Sequence, residues 1–321
     1  MTLQYRAVFD AVVTFSNGGS LQTQGFRVDV PHADVTEHEI ATIFVTACRL
    51  LMVGGVELSN VRVFAEPHLG TPGGPWDVRD RRRWVELSHV ISAGMTTYPG
   101  LPAPVVTPHL TREDSRASYA EGTEFGMDVI TMIGNTGTYL DSPFHRYADG
   151  TDLAGIPLER LADLPAVVVR HVGGGRRAVD APDLENLQVA GHAVLLHTGG
   201  DRHWATPAYA EDAPFLTEAG ARLLVDRGAA LVGIDSVNID DTSPASGGAR
   251  PAHTLLLAAG IPIVEHLTGL ADLPPTGARF TAAPPRVAAF GTFPVRAYAS
   301  VPDPEPHDHT RSGGRQPAPA E

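Results

Sequence analysis

Two short apolar runs that each end in an acid constrain this chain more than any other feature. Residues 231–235 (Leu-Val-Gly-Ile-Asp) and 261–265 (Ile-Pro-Ile-Val-Glu) carry no polar side chain before their last position, which predicts buried strands. Polar residues that punctuate the ends of apolar strands are typical of sites built on a rigid sheet. Helices are expected around them, at 217–228 on Ala219, Ala221, Leu223 and Leu224 with Gly228 as cap, and at 253–259. Further strands are expected at 85–90, 128–132, 166–171 and 193–198. Strands outnumber helices in this region, and the fold class is α/β with mixed sheets.

The first 70 residues carry a different pattern. A strand at 5–15, the turn Ser16-Asn17-Gly18-Gly19 and a second strand near 21–30 predict a hairpin, because asparagine and glycine tolerate positive φ. Thr36, Glu37 and Glu39 supply helix-start chemistry, and Ile40, Ile43, Phe44, Cys48 and Leu51 fall on one helical face running to about Met52. Gly54-Gly55 are expected to stop that helix before a strand at 56–64. The result is a small ββαβ domain over 1–70, read as an accessory or oligomerisation module. A proline- and glycine-rich linker covers 71–83, a larger domain covers 84–300, and the polar segment 301–321 lacks apolar periodicity and is expected to be disordered. His307 and His309 in that segment have nothing nearby to fix a metal geometry.

Charge narrows the partners. A net charge of −13 argues against nucleic acid or an anionic membrane surface, and leaves a small molecule as the expected partner. The single cysteine, Cys48, excludes an internal disulfide and a cysteine-built zinc site, and reads as a buried structural thiol. Without a basic flank and apolar run at the N-terminus, or a long apolar segment elsewhere, a cytoplasmic location is the expectation.

The segment Asn135-Thr136-Gly137-Thr138-Tyr139-Leu140-Asp141-Ser142-Pro143-Phe144-His145 concentrates the chemistry. Read as a strand, it places Asn135, Tyr139 and Asp141 on one face, since residues two apart point the same way. Ser142-Pro143 ends the strand and swings His145 back towards that face. An amide, a phenol, a carboxylate and an imidazole then meet at one strand end. Asp235, His253 and Glu265 mark further positions at strand or helix ends, with Asp235 read as a structural acid.

Taken together, residues from about Trp84 to Tyr298 resemble the cyclase family that includes bacterial kynurenine formamidase and isatin hydrolase. The resemblance rests on Val85-Glu86-Leu87-Ser88-His89, on Tyr98-Pro99-Gly100-Leu101-Pro102, on the 135–145 segment, and on the His253 to Glu265 pattern. It implies a swivelling β/β/α-like catalytic domain, a homo-oligomer, and arylformamidase-like hydrolysis in the setting of tryptophan catabolism. The family motif is His-x-x-x-His-x-Asp-x-Pro-x-His, and here Asn135 and Tyr139 stand in place of its first two histidines. The family's metal site built on two imidazoles is therefore lost or weakened. The resemblance implies that Asp141, His253 and Glu265 hold one zinc or manganese ion, with His145 and Asp141 catalytic. Tyr139 and Asn135 then bind substrate or donate to an oxyanion. Two other readings share the scaffold: a metal-independent cyclase or isomerase using His145, Asp141 and Tyr139, and a non-catalytic binding protein.

Overall fold

The computed structural model describes residues 4–66 and 82–302. Residues 71–81 of the linker expected at 71–83, and nearly all of the expected disordered tail, lie outside the described residues. Arg82 and Arg83 open a strand, and Val301 and Pro302 close another. The chain divides into two compact units, one reaching Arg83 and the other Trp84–Val301.

In the first unit, β1 (Tyr5–Phe15) pairs antiparallel with β2 (Ser20–Val30) and β3 (Val53–Ala65), and α1 (Glu37–Ala47) lies between β2 and β3 in sequence. The hairpin turns where expected: Asn17 Oδ1 accepts from the Gly19 N–H, and Gly18 takes φ +85°. Alternate β1 residues Ala7, Phe9, Ala11 and Val13 bury one face, and Ile40 and Phe44 of α1 join them in a common core. Phe9 and Phe26 meet the Phe44 ring edge-on, at 5.4 and 4.9 Å. Thr36 and Glu39 form a reciprocal capping box at the helix start.

The helix stops five residues before the expected Met52. The Leu50 N–H bonds the Val45 carbonyl and the Arg49 N–H bonds that of Thr46, with Arg49 left-handed at φ 51°. This Schellman closure satisfies the terminal carbonyls without a glycine. Gly54 and Gly55 consequently lie inside β3, and Leu51 is 80% exposed instead of packing on the helix face. Cys48 caps the helix and is half-buried.

The remaining elements, which lie in the second unit apart from Arg82, Arg83 and Pro302 at the ends of β4 and β16, are β4 (Arg82–Glu86), β5 (Val105–Leu110), α2 (Arg112–Ser115), β6 (Met127–Thr131), β7 (Tyr139–Asp141), β8 (Leu164–Arg170), β9 (Ala178–Val179), α3 (Ala181–Leu184), β10 (Ala193–His197), β11 (Phe215–Leu216), α4 (Glu218–Asp226), β12 (Leu231–Ile234), α5 (Pro251–Ala258), β13 (Ile263–Glu265), β14 (Thr276–Thr281), β15 (Thr292–Pro294) and β16 (Tyr298–Pro302). Nine of these strands form one mixed sheet in the order β15-β7-β13-β12-β10-β8-β14-β16-β4. Its centre, β8-β10-β12-β13, is parallel, which suits the wholly apolar strands read from the sequence. Alternation assigns Leu195, Leu231 and Val264 to one core and Val194, Val232 and Ile263 to the other. Leu224 of α4 and Leu256 and Leu257 of α5 cover the second face.

Asp235, just past β12, accepts hydrogen bonds from the Thr198 N–H (2.7 Å), the Thr198 hydroxyl (2.6 Å) and the Gly199 N–H (2.9 Å). It thus ties the end of β12 to the end of β10. Two strand expectations shift. The strand expected at 85–90 is β4 and ends at Glu86. The one expected at 128–132 is β6, which pairs with β5 in a separate hairpin rather than running into residues 135–145. That hairpin leaves Val105, Val106, Met127, Val129 and Ile130 about half exposed in the single chain. No helix among the described residues is long and apolar enough to cross a membrane.

Two glycines hold the sheet edge close to the loop that carries His145. A Cβ on Gly134 would lie 2.2 Å from the Thr292 carbonyl oxygen, and one on Gly291 would lie 2.7 Å from the His145 backbone. Neither neighbour can rotate away, because both are main chain. Gly134→Ala and Gly291→Ala are each expected to lower unfolding free energy by about 1–3 kcal/mol, read from urea denaturation midpoints. A midpoint unchanged in both variants would contradict this packing.

Candidate active site

Sheet register assembles the site. The three residues of β7 lie between β13 and β15, with Asp141 opposite Ile263 and Thr292, and Tyr139 opposite Glu265 and Pro294. Directly opposed residues bring their side chains together. The Tyr139 hydroxyl accordingly donates to Glu265 Oε2 at 2.6 Å, and the Thr292 hydroxyl donates to Asp141 Oδ1. The same Thr292 oxygen lies 2.7 Å from His145 Nδ1. Since the Thr292 proton goes to the carboxylate, His145 Nδ1 must be the donor in that contact, which leaves Nε2 as the basic nitrogen. Ser142 then turns the chain: its N–H and hydroxyl both donate to the Gly291 carbonyl, and Pro143–His145 form one 3-10 turn.

His253 arrives from the first turn of α5. Asp240 accepts from the Ala252 N–H (2.6 Å), the His253 N–H (3.1 Å) and His253 Nδ1 (2.7 Å), so one carboxylate caps the helix and sets the imidazole tautomer. His253 Nε2 lies 3.6 Å from both Asp141 Oδ2 and Glu265 Oε1. Burial disfavours a charge on this ring, yet the carboxylates of Asp141, Asp240 and Glu265 outweigh it and carry its pKa up to about 10. Burial also pushes the Glu265 carboxyl above its usual range, against the opposing pull of His253. Glu265 Oε1 accepts from the Ile239 N–H at 2.6 Å.

Behind Tyr139 lies a buried aromatic layer. The Tyr209 hydroxyl bonds His266 Nδ1 at 2.8 Å, and His266 Nε2 is 3.4 Å from the Tyr139 oxygen. Burial holds His266 neutral, with its pKa lowered to about 3. His89 stacks on Trp204 at 3.9 Å and is lowered to about 4, again chiefly by burial. In front of the site is an open pocket of about 630 Å³ lined by Tyr98, Asn135, Tyr139, His145, His253 and Glu265, with Leu101, Arg146, Asn238 and Gly248–Arg250 completing its wall.

Comparison with known proteins matches this geometry to a family. Residues 85–241 match the family described as "Putative cyclase". The chain is 30% identical over 216 residues to a kynurenine formamidase of Geobacillus thermodenitrificans, covering 67% of this chain and 95% of that protein. The chain belongs to the cyclase family of hydrolases. Its fold is shared with isatin hydrolase A from Labrenzia aggregata (TM-score 0.58, 22% identity, 69% of this chain and 94% of that one). A structure described as a potential metal-dependent hydrolase with cyclase activity is 25% identical, with TM-score 0.55, and covers 68% of this chain and 98% of its own.

Within this family frame, the structure brings Asn135, Tyr139, Asp141, His145, His253 and Glu265 to one place, by a route other than the expected strand. Residues 135–138 are bent, with Gly137 at φ +64°, and only Tyr139–Asp141 are extended. Asn135 reaches the pocket from that bend. Tyr139 lines the pocket, is 1% exposed, and its hydroxyl proton goes to Glu265. Thr292, Asp240 and His266 had no signal in the sequence, because each acts through a cross-strand or helix-cap contact. Among the described residues, Asp141, His145 and His253 form a group whose donor atoms lie within 4.8 Å of one another, and this group could hold a metal ion. Asp141 Oδ2 is buried without a hydrogen-bond partner, and a proton on His253 Nε2 sits between two carboxylates. Both features suit a cation. Glu265 lies outside the 4.8 Å group, its two oxygens holding Tyr139 and Ile239.

The buried neutral histidines make a pH prediction. His89 takes a proton in the unfolded chain near the ordinary histidine value of 6.5 but resists it in the folded chain down to about 4. Its contribution to stability is therefore present above pH 6.5 and lost as pH falls towards 4. Wild type is expected to lose unfolding free energy relative to His89→Gln over that window. Urea midpoints of the two proteins at pH 7.5 and 5 measure this, and parallel changes would refute it.

Proposed function

We propose that this chain hydrolyses a small amide or a related carbonyl compound such as a formamide, lactam or lactone, with His145 as the proton carrier. The observation that carries this reading is the Thr292 bridge between Asp141 and His145, at the floor of the pocket and beside His253. His145 Nε2 takes a proton from the attacking water as its oxygen bonds to the carbonyl carbon. The same proton passes to the leaving nitrogen or oxygen as the C–N or C–O bond breaks. Asp141 and Thr292 hold the imidazole in the tautomer this requires. The side chain of Asn135 has no hydrogen-bond partner among the described residues, and it donates to the carbonyl oxygen as charge develops there.

Asp141 and His253 would hold one divalent cation, zinc or manganese, while Glu265, 3.6 Å from the same imidazole nitrogen, lies outside that donor group. When bound, such an ion supplies Lewis-acid polarisation and acidifies water. A metal-free cyclase or isomerase is the second reading, favoured by the fact that Glu265 already holds Tyr139 and Ile239. A homo-oligomer belongs to this proposal, supported by the half-exposed apolar residues of the β5–β6 hairpin, and light scattering measures it.

Elemental analysis of the purified protein, with turnover of an aryl formamide before and after chelation, tests the reading. About one metal per chain is expected, with turnover lost on its removal. His145→Gln is expected to keep the metal while kcat falls about 10²–10⁴-fold, whereas His253→Ala loses the metal. Thr292→Val is expected to lower kcat about 10–100-fold, with the fold intact by circular dichroism. Full activity in chelated protein would favour the metal-free reading. Full activity in His145→Gln would remove the proposed proton carrier.

A further inference from the structure

We propose that the substrate carries a carboxylate, bound by Arg250 with support from Arg146 on the wall of the same pocket. The proposal rests on the hydrolase reading for its reaction and on separate residues for its specificity. The chain as a whole is strongly acidic, and His253, which lines the pocket with Glu265, is surrounded by the carboxylates of Asp141, Asp240 and Glu265. Against that background the wall presents two guanidinium groups.

Neither guanidinium is neutralised by a carboxylate among the described residues. Arg250 uses only Nη1 within the protein, donating to the backbone carbonyls of Asp241 (3.1 Å) and Ala249 (2.8 Å). The Asp241 carboxylate is committed elsewhere, to Arg177 at 2.9 Å. The Nε–Nη2 edge of Arg250 therefore has no partner among the described residues, and this edge is the fork that binds a carboxylate through two parallel hydrogen bonds. Anchoring one end of a guanidinium on carbonyls lowers the entropy it loses on binding. Arg146 lies over the Tyr147 ring at 5.7 Å and has no ion pair.

The neighbouring helix N-terminus does not compete for the anion. Arg250 precedes α5, but the Ala252 and His253 N–H groups are taken by Asp240. An anion in this pocket thus meets the arginine side chains rather than free helix amides. Tyr98 and Leu101 supply an apolar wall for the body of the ligand. The pocket has an acidic floor that favours a cation and a basic wall that favours an anion. A small amide with a carboxylate some distance from its carbonyl matches both.

Two measurements test the assignment separately from the reaction. The first is calorimetric titration of benzoate and benzamide, matched in shape and differing in charge, into wild type, Arg250→Gln and Arg250→Lys. Benzoate is expected to bind wild type more tightly than benzamide. Arg250→Gln should weaken benzoate at least about tenfold relative to benzamide, with Arg250→Lys restoring part of the difference. The second is the ratio of kcat/KM for N-formylanthranilate to that for formanilide, expected to fall at least about tenfold in Arg250→Gln and by a smaller factor in Arg146→Gln. Retained benzamide binding shows that the variants are folded. If benzoate has no advantage over benzamide in wild type, or keeps it in Arg250→Gln, the carboxylate assignment is wrong. If neither formamide is turned over while the benzoate preference follows Arg250, the hydrolase reading fails and the carboxylate site stands.

Discussion

Pairing of one three-residue strand governs this site. With β7 held between β13 and β15, Asp141 faces Thr292 and Tyr139 faces Glu265, and the Thr292–Asp141 and Tyr139–Glu265 hydrogen bonds follow from those two oppositions. A slip of one residue would turn Asp141 and Tyr139 to the other side of the sheet. Short as it is, β7 is pinned at both ends. Thr138 donates to the His266 carbonyl at 2.6 Å on one side, and Ser142 bonds the Gly291 carbonyl on the other. The buried apolar centre of the sheet makes that register worth keeping, since both of its faces are packed.

The consequence for electrostatics is a division of labour among buried acids. Asp240 caps α5 and sets the His253 tautomer, and Asp235 ties two strand ends. Glu265 is held by Tyr139 and a backbone amide. Asp141 alone keeps an oxygen without a hydrogen-bond partner. A buried carboxylate oxygen in that condition is costly unless a cation or a ligand meets it, so the cost falls at the position where chemistry is proposed. The Tyr139 phenol has its proton committed to Glu265.

Much of this organisation was legible in the sequence. The two-unit pattern, the apolar strands ending in Asp235 and Glu265, and the spaced motif from Asn135 to Glu265 led to the fold class and to the residues that meet in the pocket. Local chemistry was read well where it is self-contained, as in the Asn17–Gly18 turn and the Thr36–Glu39 cap. It was misread where the backbone did something unsignalled. Arg49 closes α1 in a left-handed conformation that usually calls for glycine, and Gly137 bends a segment that alternation suggested was straight.

The sequence alone determined which side chains were available: the carboxylates, the imidazoles, and the amide and phenol of Asn135 and Tyr139. Those are facts of covalent identity and spacing, and no fold can change them. Tertiary structure decided what each side chain is free to do. Thr292 lies 151 residues from Asp141 and becomes its partner only through strand pairing, and that contact places the His145 proton on Nδ1. Tyr139 commits its hydroxyl to Glu265 for the same reason, while Arg250 anchors only Nη1 among the described residues and the neighbouring Asp241 carboxylate pairs with Arg177. Hydrogen-bond capacity is a property of residues, but its allocation depends on neighbours that only the folded sheet supplies.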